Sequence, residues 1–125
     1  MVFQCQAALV TLAGANSQSL VEFYRQLLNL DPQPHIPNVY SEFQLPGLRL
    51  GIFCPKKSNE QEFSNQAKNG MSLCLQVSDL EAAIKHLHKL GYPPPGEILT
   101  ASHGREIYAY DPAGNRLIIY QPYSK

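Results

Sequence analysis

The chain has 125 residues, 44% apolar and 16% charged, with ten Lys/Arg against ten Asp/Glu and a net charge of zero. That length suits one domain, or two small modules sharing a core. With that balance nothing drives the chain toward nucleic acid or an anionic membrane.

No apolar run approaches the ~18 residues of a membrane span. The opening MVFQCQAALVTLAGAN lacks the basic residues of a signal peptide. The expectation is a cytoplasmic protein with neither a nucleic-acid nor a membrane partner.

In chain order, LVTLAGANSQSLVEFYRQLLNL (9–30) reads as a strand, an Asn/Ser cap and an amphipathic helix. Leu20, Val21, Tyr24, Leu27 and Leu28 share one helical face. DPQPHIPN, with His35, reads as loop. YSEFQLPGLRLGIFCP (40–55) reads as strand, glycine turn, strand, because the turn needs a residue tolerant of positive φ. The polar stretch 55–70 reads as a surface connection with a short helical turn.

SLCLQVSDLEAAIKHLHKLGY (72–92) repeats the strand and helix. Asp79 is the N-cap, Leu80, Ala83, Ile84, Leu87 and Leu90 form the stripe, and Gly91 ends the helix. Glu81 and Lys85 make an i,i+4 pair. IYAYDPAGNRLIIYQP (107–122) is a second hairpin, its turn begun by Asp111-Pro112 and closed by Gly114-Asn115.

The two halves say the same thing. At an offset of 67, Gly47, Arg49, Leu50, Ile52 and Pro55 match Gly114, Arg116, Leu117, Ile119 and Pro122, while Phe43 pairs with Tyr110 and Phe53 with Tyr120. Asn16 matches Asp79 at an offset of 63, which puts four extra residues between helix and hairpin in the second half, within PPPGEILTASHG. Each half is then βαβββ: module one 1–55, a connection 56–70, module two 71–125. The expected class is α+β, one domain of two βαβββ modules forming a cupped mixed sheet, helices outside and a pocket on the other face.

Cys5, Cys54 and Cys74 are odd in number and widely spaced, which argues against a disulfide framework or a zinc knuckle. Apolar neighbours suggest buried structural thiols. His86 and His88 lie two apart on the second helix and do not share a face, so exposure is the expectation. No G-x-S-x-G or P-loop pattern occurs, which disfavours a serine hydrolase or a nucleotide machine.

The paired plan, VEFYRQLLNL, VSDLEAAIKHLHKLGY and DPAGNRLIIY together resemble the vicinal oxygen chelate superfamily: glyoxalase I, extradiol dioxygenases, fosfomycin resistance enzymes and bleomycin resistance proteins. Leu30 departs from it, standing where the family often ends its first helix with Gly. The resemblance implies four metal-ligand positions, and here they fall on Leu9, Gly51, Ser72 and Ile118. Aliphatic carbons cannot coordinate, glycine has no side chain, and a neutral hydroxyl is a poor sole ligand. The expectation is no metal and no other cofactor.

Alternation places Tyr108, Tyr110 and Tyr120 on one face with Arg116 and Ile118, provided the hairpin has no bulge. In this family that face would be the pocket, and aromatic walls with a few polar groups suit an organic ligand. Ser72, Gln76, Tyr108, Arg116 and Tyr120 would line it, with His103 and Arg105 at the mouth. His can transfer protons near neutral pH and Arg can clamp an anion. Arg49 and Arg116 also read as hairpin arginines lying on the sheet surface.

The function expected is small-molecule binding by a glyoxalase/bleomycin-resistance-like homodimer. The alternative is a metal-dependent lyase or dioxygenase with unusual ligands, Gln6 or Glu42 with His103 and Glu106. A third reading is an interaction module whose cleft its own side chains fill.

Overall fold

The structure is a computed structural model and describes residues 3–64 and 69–123. It is an α+β fold of two compact units, Met1–Phe63 and Ser64–Lys125. Each has the βαβββ order that the repeat predicts. Unit one contains β1 (Val10–Ala13), α1 (Ser17–Leu28), β2 (His35–Ile36), β3 (Tyr40–Leu45) and β4 (Leu48–Phe53), followed by a 3-10 helix over Lys57–Phe63. Unit two contains β5 (Leu73–Gln76), α2 (Leu80–Leu90), β6 (Leu99–Thr100), β7 (Gly104–Tyr110) and β8 (Arg116–Pro122). No helix among the described residues is long and apolar enough to cross a membrane.

The helix ends follow from their caps. Asn16 Oδ1 accepts from the Ser19 N–H at 3.3 Å, and Asp79 Oδ1 from the Ala82 N–H at 3.0 Å. Gly91 ends α2 in the left-handed region at φ 92. Asn29, one residue before Leu30, ends α1 in the left-handed region at φ 54, since asparagine tolerates that region. Glu81 does not pair with Lys85 in the expected way. Its carboxylate takes both Nη1 and Nη2 of Arg105, at 2.6 and 2.9 Å.

Each unit carries a four-stranded mixed sheet, in the orders β1-β4-β3-β2 and β5-β8-β7-β6. The first strand of each unit pairs in parallel with the last, and the other pairings are antiparallel. α1 packs on β4 and α2 on β8. Leu50, Ile52 and Phe43 are buried on the α1 side with Leu20, Val21, Phe23 and Tyr24. Leu117, Ile119, Ile107 and Ala109 are buried on the α2 side with Leu80 and Leu87. Removing such apolar surface from water is the main term favouring each module.

The register corrects the repeat in one respect. Four residues separate the paired Gln44 and Arg49, whereas five separate Tyr110 and Arg116. A shift of one residue reverses a strand's facing. Phe43 is therefore buried under α1, while Tyr110 shares the opposite face of its sheet with Arg116. The pairs Ile36–Tyr40 and Leu99–Glu106 locate the other three extra residues between β6 and β7. The expected block of four is thus split between that link and the second turn.

The second turn is built by Asp111, which is 4% exposed. Its Oδ1 accepts from the Ala113 and Asn115 N–H groups at 3.0 and 2.9 Å, and its Oδ2 from Asn115 Nδ2 at 2.9 Å. Gly114 supplies φ 89, which a larger residue adopts only with strain.

Candidate ligand-binding faces

The helix-free face of unit two is read directly from the strand register. Ile118 lies between Cys74 and Tyr108, Tyr120 between Gln76 and Glu106, and Arg116 opposite Tyr110. Ser72, immediately before β5, joins Arg116 through an Nε-to-Oγ bond of 2.6 Å. The hairpin pairs residue for residue from Gly104–Pro122 to Tyr110–Arg116, so the three tyrosines share this face as the alternation predicts. His103 also reaches it. Its ring lies 5.3 Å from that of Tyr120, whose hydroxyl donates to the His103 carbonyl at 3.4 Å. Ser72, Gln76, His103, Tyr108, Arg116 and Tyr120 are thus brought together.

Arg105 is not. Because β7 begins at Gly104, Arg105 falls in the strand with the parity of Ile107, on the α2 side. Glu81 holds it there, and its Nη2 also donates to Gln121 Oε1 at 3.3 Å. It stands apart from the mouth position expected of it. Arg116 carries further bonds to the Asn69 and Met71 carbonyls at 2.5 and 3.3 Å, so it braces the entry to β5 as well as bordering the tyrosines.

The expectation of buried cysteines fails. Cys5 and Cys74 are exposed and Cys54 is half-buried. Apolar neighbours misled because Leu73 and Leu75 face α2 while Cys74, between them, faces the other way. Partial burial and then the nearby Glu106 charge raise the Cys74 thiol above its ordinary pKa, which keeps it protonated at neutral pH. His88 is exposed and His86 half-buried. His35 is in β2 rather than loop, its Nδ1 2.6 Å from Ser41 Oγ. A hollow of about 330 Å³ adjoins the face, lined by Gln76, Val77, Ser78, Gln121, Pro122 and Tyr123.

The helix-free face of unit one holds a group that the sequence reading did not assemble. Glu42 is opposite Gly51, Gln44 opposite Arg49, and Tyr40 opposite Phe53. Glu42 is 6% exposed, and both its oxygens are taken. Oε2 accepts from Arg49 Nε at 2.7 Å and Gln44 Nε2 at 2.7 Å. Oε1 accepts from the Tyr40 hydroxyl at 2.7 Å and Arg49 Nη2 at 3.1 Å. These bonds, that of Arg49 foremost, hold the Glu42 carboxyl down at about 2. Desolvation, then the bond to Glu42, raises the Tyr40 hydroxyl. The Tyr40 ring crosses diagonally onto Gly51, where a Cβ would meet its Oη at 2.6 Å and its Cε1 at 2.9 Å.

These faces test the metal set directly. Gly51 and Ile118 stand on the helix-free faces at matching register, beside Thr11 and Cys74 in the adjoining first strands. Leu9 precedes β1 and is 38% exposed. Leu9, Gly51 and Ile118 offer no donor atom, and the Ser72 hydroxyl lies against a guanidinium, which repels a cation. Within each unit, no three His, Cys, Asp or Glu side chains among the described residues cluster to hold an ion. Of the unusual ligands considered, Gln6 is exposed outside any strand, and Glu42 has no oxygen to spare. The residues present do not fit the family's divalent ion.

No family model matches the chain, and no curated protein matches it. Solved structures do. A glyoxalase/bleomycin resistance protein from Catenulispora acidiphila is 21% identical, with 93% of this chain and 97% of that one aligned at a TM-score of 0.68. The fosfomycin resistance protein FosX from Listeria monocytogenes is 16% identical, with 97% and 94% aligned at 0.75. Lactoylglutathione lyase from Agrobacterium tumefaciens is 18% identical, with 94% of each chain aligned at 0.70. At such identities the likeness is one of architecture. Two successive βαβββ units, each closed by a parallel pairing of its first and last strands, give this chain the fold of the vicinal oxygen chelate superfamily.

Proposed function

We propose that the protein binds a small organic molecule on its aromatic helix-free faces, without a divalent metal, as a cytoplasmic homodimer. The observation that carries this reading is the character of the ligand positions. Where the family's metal enzymes need donors, this chain has Leu9, Gly51, Ile118 and an arginine-bonded Ser72. Around Ile118 and Ser72 in unit two stand Tyr108, Tyr110, Tyr120, His103 and Gln76, a set suited to an organic surface with a few polar atoms. The neutral chain gives no reason to add nucleic acid or a membrane to its partners.

Metal analysis of protein purified without chelator, paired with a thermal-shift panel of hydrophobic acids, thiol conjugates and antibiotics, tests the reading. Substoichiometric metal and a stabilising ligand are expected, since binding to the native state alone raises apparent stability. Stoichiometric Zn, Ni, Mn or Fe would refute the metal-free reading in favour of a lyase or dioxygenase. Silence across the panel would favour the interaction module.

A further inference from the structure

Glu42 has four hydrogen bonds, which use about as many acceptor positions as a carboxylate owns. It can neither ligate a cation nor take a proton without giving one up. Its role is to anchor Arg49. Nε and one N–H of Nη2 point inward to the carboxylate, so the outer fork of the guanidinium, Nη1 with the remaining N–H of Nη2, faces away from it. No described residue bonds that outer fork, and the Arg49 side chain is 44% exposed. Two parallel N–H groups in one plane match the two oxygens of a carboxylate.

Next to this fork lies aromatic surface. The Tyr40 ring is laid over Gly51 and tethered by its hydroxyl to the same Glu42. Phe53 is its neighbour across the strands. A side chain at position 51 would push the ring away, so the glycine makes the arrangement possible. The position that lacks a metal donor is thus filled by a tyrosine, beside a guanidinium set in a fixed orientation.

We propose that Arg49 is an oxyanion-recognition residue of unit one and that the ligands it selects are flat aromatic carboxylates, the carboxylate on the outer fork and the ring along Tyr40. This rests on the reading above that the protein binds a small organic molecule without a metal. Glu42 offsets the charge of Arg49, so selectivity comes from directed paired bonds more than from net charge.

The test is a titration of the full chain with benzoate and with benzamide, followed by NMR of the arginine Nε–H signals and backbone amides. It is repeated on Arg49→Lys and on Arg25→Lys, an exposed α1 arginine that bonds Glu22 through Nε and Nη2, each first shown by its amide spectrum to be folded. Lysine keeps the charge beside Glu42 but loses the fork. Benzoate is expected to bind about tenfold more tightly than benzamide to the native chain. It should shift the Arg49 signal, and the preference should vanish in Arg49→Lys and persist in Arg25→Lys. Equal binding of the two probes, or a preference that survives in Arg49→Lys, overturns the assignment while leaving the small-molecule reading intact. If neither probe binds while other compounds of the panel do, the assignment again falls alone. If the whole panel is silent too, both fall.

Discussion

Replacing Gly51 by alanine isolates the contact between the Tyr40 ring and the backbone of β4. The new Cβ would sit 2.6 Å from Tyr40 Oη, 2.9 Å from Cε1 and 3.0 Å from Cζ. Comfortable carbon contacts lie near 3.5–4.0 Å, so the ring must retreat by roughly 1 Å. The 2.7 Å bond from the Tyr40 hydroxyl to Glu42 does not survive a retreat of that size. Overpacking of this kind costs about 2 kcal/mol, which lowers the urea midpoint by about 1 M for a small protein. The informative experiment is a double-mutant cycle read by urea denaturation. In a Tyr40→Ala background the Cβ has room, so Gly51→Ala should then cost close to nothing. Strictly additive costs would refute the claim that the glycine exists to admit the tyrosine ring.

Gly104→Ala should be more damaging than Gly51→Ala in the same assay. Its Cβ would meet backbone atoms, the Gln121 carbonyl oxygen and Pro122 Cα, which cannot swing aside as a ring can. Asp111→Ala should lower stability by about 3 kcal/mol, since it leaves two backbone N–H groups and the Asn115 amide without their acceptor; denaturation midpoints at neutral pH measure it. Stability should also fall in acid. Glu42 and Glu81 are held at about 2 in the folded chain against an ordinary 4.5, so their contribution is complete above 4.5 and is lost as the pH falls towards 2. Urea midpoints measured across that range should decline less steeply in Arg49→Gln, where Glu42 has lost its main partner.

Much of the architecture was legible because it rests on local rules. Asn16, Asp79 and Gly91 mark helix ends by their own hydrogen bonds and backbone freedom. The Asp-Pro…Gly-Asn signature locks β8, so the parity of Tyr108, Ile118 and Tyr120 could be counted from it. That Leu9, Gly51 and Ile118 carry no donor atom needed only residue identities. What stayed hidden depended on where strands begin and on contacts across them. Arg105 was misplaced because nothing local announces that β7 starts at Gly104. Cys74 looked buried because hydrophobic neighbours in a strand point to the opposite face. The cluster of Tyr40, Gln44 and Arg49 around Glu42 spans two strands and a diagonal, and a repeat offset wrong by one residue concealed it.

Exchange of side chains between the two halves must respect the longer second turn. By pairing partners, Glu42 corresponds to Tyr108 and Tyr40 to Glu106. Grafting along the uniform spacing instead would set the carboxylate at position 109, where Ala109 is fully buried on the α2 side, and would carry an oily Phe43 out to Tyr110's place. A single added loop residue has therefore re-phased a whole strand, and a designer moving the guanidinium clamp into the second half would need to count from β8 outward.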